Sequence, residues 1–294
     1  IQRIGDTGVV AVISNGDGPV VALRGDIDAL PMAERSGKEY AATGATQVDN
    51  NTGQETPVAH TCGHDVHISS LLGAVQAFNS HRELWNGTLM AVFQPAEETA
   101  AGARMMVEEG IVEKLSAPDV YLGQHVLGSL PGGAVGTRVG AVMSEAASIE
   151  ITLHGKGSHG SMPNLGVDPI VLGSAIVTRL QSVISREIAA SETAVLTVGS
   201  FFTKSNIIPD SAVLQLNTRA FSKDVAAHLH EAIERIVRSE CEAARCPEPP
   251  EFKYYDQYPL TSNDEPVTAH VRAAFDDFFG ENSADLAQVP ASAD

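Results

Sequence analysis

The sequence predicts an α/β fold: a mostly parallel sheet with helices on both faces, carrying an inserted ferredoxin-like βαββαβ domain. Three observations predict it. In the first half, short apolar runs alternate with helix-like segments, the order that builds a parallel sheet wrapped by helices. After the glycine-rich turn Pro131-Gly132-Gly133 the pattern changes to alternating, half-exposed strands. A length of 294 residues with 43% hydrophobic content exceeds one typical domain and can fill two cores.

Residues 19–23, 88–93 and 119–122 are the strand candidates of the first domain. Between them, residues 66–78 and 101–109 carry apolar side chains at three- and four-residue spacing, and Gly110 stands as a helix stop. In the insert, residues 148–153 alternate, with Ile149, Ile151 and Leu153 on one side. A helix at 169–188, strands at 194–202 and 212–221, a helix at 223–244 and a strand at 251–255 complete the βαββαβ order. A helix at 265–279 returns to the first domain, and 287–294 end without an evident last strand. The expected division is 1–141 for the first part of a catalytic domain, 142–256 for a lid and dimerisation domain, and 257–294 for the second catalytic part. Its C-terminal end is expected to be missing, and the start at Ile1 is expected to lie mid-protein.

Composition narrows the function classes. A net charge of −18 repels phosphate backbones and anionic lipid, so neither nucleic acid nor a membrane is an expected partner. No apolar stretch reaches membrane-spanning length, and the first residues lack the pattern of a signal peptide. Cys62, Cys241 and Cys246 form no disulfide framework, which points to a reducing, cytoplasmic setting.

In open α/β sheets, sites form beyond the carboxyl ends of the strands. The three strand candidates lead into Arg24-Gly25-Asp26-Ile27-Asp28, Gln94-Pro95-Ala96-Glu97-Glu98 and Gly123-Gln124-His125. Before the first helix stands His60-Thr61-Cys62-Gly63-His64-Asp65-Val66-His67. Thiolate, imidazole and carboxylate together suit zinc or a neighbouring divalent transition metal. Of two adjacent glutamates, one can bind metal while the other takes a proton from water. Taken singly each has an ordinary explanation: Cys62 an inert buried thiol, Glu97 and Glu98 a solvated helix start, His125 a loop histidine, Asp26 and Asp28 turn formers. Their position at consecutive strand ends favours a metal centre. His60 and His67 receive no role.

These residues resemble the metal-dependent aminoacylase, hippurate hydrolase and carboxypeptidase-G-like exopeptidase family, in the branch with auxin-conjugate amidohydrolases. The resemblance rests on RGDIDALP (24–31), HTCGHDVH (60–67), FQPAEE (93–98), GQHV (123–126), GKGSHGSMPNLGVDP (155–169) and SNIIPDSA (205–212), which occur in family order. It implies a zinc-exopeptidase-like catalytic domain in which Cys62, His64, Glu98 and His125 hold two divalent ions, zinc first and manganese second. It makes Glu97 the general base and Asp28 an aspartate that orients the site without ligating metal. It also implies that His159 stabilises the tetrahedral oxyanion, often across a dimer interface, and that Asn206 and Arg219 hold the substrate, Arg219 through its carboxylate. Ordinary readings stand beside these three: a turn for Asn206, a sheet-surface ion pair for Arg219 and a loop position for His159. A homodimer through the lid follows from the resemblance as well. The family supplies one further metal-binding histidine near its C-terminal end, expected beyond Asp294.

The activity implied is metal-dependent hydrolysis of the amide bond of N-acyl amino acids, among which bacterial N-acylglutamine aminoacylases are included. A dipeptidase or carboxypeptidase of the same family is the alternative within this chemistry. Two rivals differ in kind: a thiol hydrolase with Cys62 as nucleophile and His64 as base, and a catalytically silent scaffold. The first lacks an evident third group to orient the base, and the intact Glu97-Glu98 pair argues against the second.

Overall fold

A computed structural model describes residues 1–48, 53–115, 117–203 and 207–286. The chain forms two compact units, the first Ile1–Gly132 and the second beginning at Gly133. In the first, β1 (Gln2–Arg3), β2 (Val9–Asn15) and β3 (Val20–Asp26) precede a hairpin of β4 (Thr46–Val48) and β5 (Glu55–Pro57). Then follow α1 (His64–Ser80), β6 (Gly87–Gln94), α2 (Gly102–Glu108), α3 (Ile111–Leu115) and β7 (Val120–Gly123).

The five-stranded sheet has the order β1-β2-β6-β3-β7. Its centre β6-β3-β7 is parallel, and β2 and β1 extend it as an antiparallel edge. Ala22, Met90 and Val92 pack with Met106 of α2 on one face. Gly25, three residues on from Ala22 and so on the opposite face, lies against the backbone of His67 in α1. Helices therefore cover both faces, and the parallel strands deliver their carboxyl ends to one edge.

In the second unit the four-stranded antiparallel sheet has the order β11-β12-β10-β13 once β8 (Val135–Thr137) and β9 (Gly140–Met143) are numbered before it. Its elements are β10 (Glu145–His154), α4 (Pro169–Arg186), β11 (Ala194–Phe202), β12 (Ser211–Ala220), α5 (Lys223–Ala243) and β13 (Glu251–Tyr258). This is the ferredoxin-like arrangement. Asp168 caps α4 by accepting from Ile170 N and Val171 N, with Pro169 in the first turn, and Ser222 caps α5 by accepting from Val225 N. Ile149, Ile151 and Leu153 meet Leu172, Ile176 and Leu180 of α4 and Leu229, Ile233 and Val237 of α5. Burying each such Leu, Ile or Val side chain stabilises the fold by about 1.5–3 kcal/mol relative to exposure.

Two small pairings join the segments that flank this sheet in sequence: β9 with β14 (Thr261–Asn263), antiparallel, and β8 with β15 (Ser283–Asp285), parallel. Between them runs α6 (Glu265–Phe279), capped by Asp264 through Val267 N. Among the described residues no helix is long and apolar enough to cross a membrane.

Candidate metal centre

The edge where β3, β6 and β7 end gathers the polar residues of the first unit. β3 ends in Asp26 and continues to Asp28, β6 leads to Glu97 and Glu98, and β7 leads to His125. Cys62 and His64 come from the turn that opens α1. That turn depends on Gly63, whose φ of +87° is left-handed and whose missing Cβ would stand 2.4 Å from Val126 Cγ2. The start of α1 thus packs directly on the residue after His125.

The segment after β6 is folded more tightly still. Ala96 holds a left-handed φ of +48°, and its carbonyl accepts from Ala101 N at 3.2 Å and Gly102 N at 3.0 Å. A Cβ on Gly102 would fall 1.5 Å from Pro95 O, so only glycine closes this loop. The wrap turns Glu97, 8% exposed, and Glu98 inward. Asp28 fixes the far side: its Oδ2 accepts from Glu98 N at 3.0 Å.

The hydrogen-bond pattern sets the tautomers of three histidines. His64 Nδ1 faces Asp28 O and Asp28 Oδ1, both at 3.1 Å and both acceptors, so it donates, and in the neutral imidazole Nε2 then carries a lone pair. His125 Nδ1 lies 2.7 Å from Val126 O, with the same result, and its Nε2 lies 3.5 Å from Cys62 Sγ. His67 is different. Its Nδ1 bonds Asp26 Oδ1 and its Nε2 accepts from Val126 N at 3.0 Å, so both nitrogens are engaged within the protein.

His64 Nε2 is buried and makes no hydrogen bond. Around it stand Asp26 Oδ2 at 3.7 Å, Glu98 Oε1 at 3.8 Å and Glu97 Oε2 at 3.9 Å. A lone pair facing three carboxylates is repulsive unless a cation lies among them. Cys62, His64 and His125 form one group of converging donor atoms, and His64, Glu97 and Glu98 another, each within 4.8 Å. These two groups share His64. Thiolate, imidazole and carboxylate donors in two groups fit a pair of divalent ions.

Electrostatics agree with that fit. Burial pushes the Cys62 thiol up to about 12, and the negative charges of Glu98, Glu97 and Asp26 act in the same direction. Burial also raises the Glu98 carboxyl, with Asp28 adding to it while His64 opposes. Asp26 is fully buried, yet its carboxyl stays below its ordinary value: burial works against the anion and is outweighed by the His67 hydrogen bond and by Arg24, 3.0 Å away. A thiol held near 12 is a poor nucleophile at neutral pH, which counts against a Cys62 thiol hydrolase.

The structure thus brings together Cys62, His64, Glu97, Glu98, His125 and Asp28. Asp26, one of the strand-end residues of the sequence, and His67, to which the sequence gives no role, stand beside them; the signal for His67 is its spacing of three from His64, which puts both on one helical face. His159 and Arg219 belong to the second unit. His159 Nδ1 accepts from Ser161 N at 3.2 Å, so its proton sits on Nε2, and Arg219 Nε donates to Asn217 Oδ1 at 3.0 Å. Asn206 lies outside the described residues.

Residues 22–294 match the family model described as peptidase family M20/M25/M40. The chain is 37% identical over 261 residues to the N-acetylcysteine deacetylase of Bacillus subtilis (strain 168), covering 88% of this chain and 64% of that protein. It is 33% identical over 293 residues to the IAA-amino acid hydrolase ILR1-like 4 of Arabidopsis thaliana, covering 98% and 63%. It therefore spans less than two thirds of the length of these relatives. Among solved structures, the YXEP protein of Bacillus subtilis, described as a dinuclear metal binding peptidase from the M20 family, is 30% identical with a TM-score of 0.76, over 98% of this chain and 71% of that one.

Proposed function

The chain belongs to peptidase family M20/M25/M40, and from that premise we propose that it hydrolyses the amide bond of N-acyl amino acids at a centre of two divalent ions. Cys62, His64, Glu98 and His125 are the proposed ligands, with zinc ahead of manganese because of the thiolate. The observation that carries this reading is His64 Nε2, buried, unbonded and 3.7–3.9 Å from three carboxylate oxygens. The names of the relatives, an N-acetyl amino acid deacetylase and an amino acid conjugate hydrolase, supply the substrate class.

When bound, the ions would acidify water and polarise the scissile carbonyl. Glu97, mostly buried beside His64, takes a proton from the attacking water and returns it to the leaving amine. Asp28 holds both the His64 imidazole and the backbone of Glu98 in place. His159 offers its Nε2–H to the tetrahedral oxyanion, and Asn206 and Arg219 hold the substrate, Arg219 through its carboxylate. Residues 142–256 act in this reading as a lid through which two chains pair.

The test is a hydrolysis panel on zinc- or manganese-loaded full-length protein, spanning N-acyl amino acids and dipeptides with a free α-amine. N-acyl amino acids should be cleaved, and Glu97→Gln should keep its metal while losing about 10²–10⁴-fold in rate. Cleavage of the dipeptides alone would replace the proposed substrate class. A metal-replete Glu97→Gln protein of undiminished activity would remove Glu97 as base.

A further inference from the structure

The thiols of Cys241 and Cys246 lie outside this centre, at the end of α5 in the second unit. Five residues apart on a continuing helix, they would point about 140° away from each other. The helix does not continue. Arg245 takes a left-handed φ of +59°, Cys246 N donates to Cys241 O at 3.0 Å and Arg245 N donates to Glu242 O at 3.0 Å. This pair of bonds is a Schellman motif, which brings the side chains of its first and last residues into contact. Here both are cysteines, neighbours close enough for Cys246 to act on the Cys241 thiol.

The two differ in access. Cys241 is 4% exposed and sits in the core, whereas Cys246 is half-buried at its margin. Both line a cavity of about 330 Å³ with Arg238 and Pro247. Pro247 disfavours helical backbone at Cys246, so the helix does not resume there. Two free thiols at the first and last positions of one Schellman turn, on one cavity and with one of them reachable, are placed as a dithiol that closes on itself.

We propose that Cys241 and Cys246 are a reversible oxidation site that forms an intramolecular disulfide with a small-molecule disulfide as oxidant. The Cys246 thiolate attacks one sulfur of the oxidant, forming a mixed disulfide and releasing one thiol. Cys241 gives its proton to solvent and attacks the Cys246 sulfur, releasing the second thiol. Two protein S–H bonds and one external S–S bond become one protein S–S bond and two external thiols, a two-electron oxidation of the protein. Burial is the main cause that lifts the Cys241 thiol to about 12, which leaves the more exposed Cys246 as the first to attack.

The experiment treats the full-length, metal-loaded chain with oxidised glutathione, then reads intact mass and a peptide map. Wild type should lose two hydrogens, with the link mapped to Cys241 and Cys246, and dithiothreitol should restore both thiols. Cys241→Ser should instead stop at a stable glutathione adduct on Cys246, which shows order of attack and does not depend on the disulfide's effect on folding. Accumulation of that adduct on wild type without hydrogen loss would overturn the proposal. So would a disulfide through Cys62, or no modification of either thiol.

Discussion

His64 Nδ1 lies 3.1 Å from Asp28 Oδ1, and this contact decides which face the opposite nitrogen shows to the candidate centre. The donor at Nδ1 leaves Nε2 as a lone pair. Asp28 is itself tied to the second ligand-bearing segment through Glu98 N, so one carboxylate orients donors from α1 and from the loop after β6.

Replacing Asp28 by Asn should weaken metal binding by about 10- to 100-fold, because an amide cannot accept on both sides. Competition with a chromophoric chelator measures it. Unfolding of the metal-free protein should change little by comparison; an unchanged metal affinity would mean that Asp28 does not set the imidazole.

Gly102→Ala should be disproportionately costly for one methyl group. Its Cβ would land 1.5 Å from Pro95 O, so the loop that carries Glu97 and Glu98 must open. The expected loss is about 1–3 kcal/mol in denaturant unfolding, together with lower metal content. A variant of wild-type stability and metal content would show that the loop has slack.

In the second unit, Asp210 staples the loop that carries His159: its Oδ1 accepts from Gly157 N at 2.7 Å and its carbonyl from Gly155 N at 2.7 Å. Asp210→Ala should lower kcat by about tenfold, the worth of a positioning hydrogen bond of about 1.4 kcal/mol. Bound metal, measured by mass spectrometry of the element, should stay at the wild-type level. Equal loss of metal would point to general damage instead.

The pH dependence of stability carries a mark of His230. Burial holds its imidazole below the ordinary value, with Glu145 and Glu234 pulling the other way, and Nε2 lies 3.2 Å from Thr218 Oγ1. Since the folded value is the lower one, the unfolded chain binds the proton first as pH falls. This contribution is complete above about pH 6.5 and declines below it until the folded group titrates. Wild type should therefore lose more thermal stability between about pH 7.5 and 5.5 than His230→Gln; equal losses would contradict the buried-imidazole assignment.

Much of this was legible in the residues themselves. The helix Glu265–Phe279 and the strand Ala194–Phe202 follow the bounds their periodicity and flanking signals suggest, because Asp264 and Pro266 mark a helix start whatever surrounds it. The gathering of Glu98 and His125 follows from a rule about parallel strand ends. What local pattern does not encode is long-range. Nothing local to β2 says that it pairs with β6, far along the chain, rather than with β3, its neighbour in sequence. The left-handed turns at Ala96 and Arg245 are imposed by surrounding hydrogen bonds on residues that do not favour them. Asp26 and His67 look like a turn former and a helix surface residue until burial places them face to face.

The central claim is that Cys62, through its sulfur, joins His64, Glu98 and His125 around divalent metal. X-ray absorption spectroscopy of the zinc-loaded protein tests it most directly. A zinc–sulfur shell at about 2.3 Å beside nitrogen and oxygen at about 2.0–2.2 Å is predicted, with the sulfur shell absent from Cys62→Ser. A wild-type spectrum of nitrogen and oxygen alone, from protein that binds zinc stoichiometrically, would contradict it.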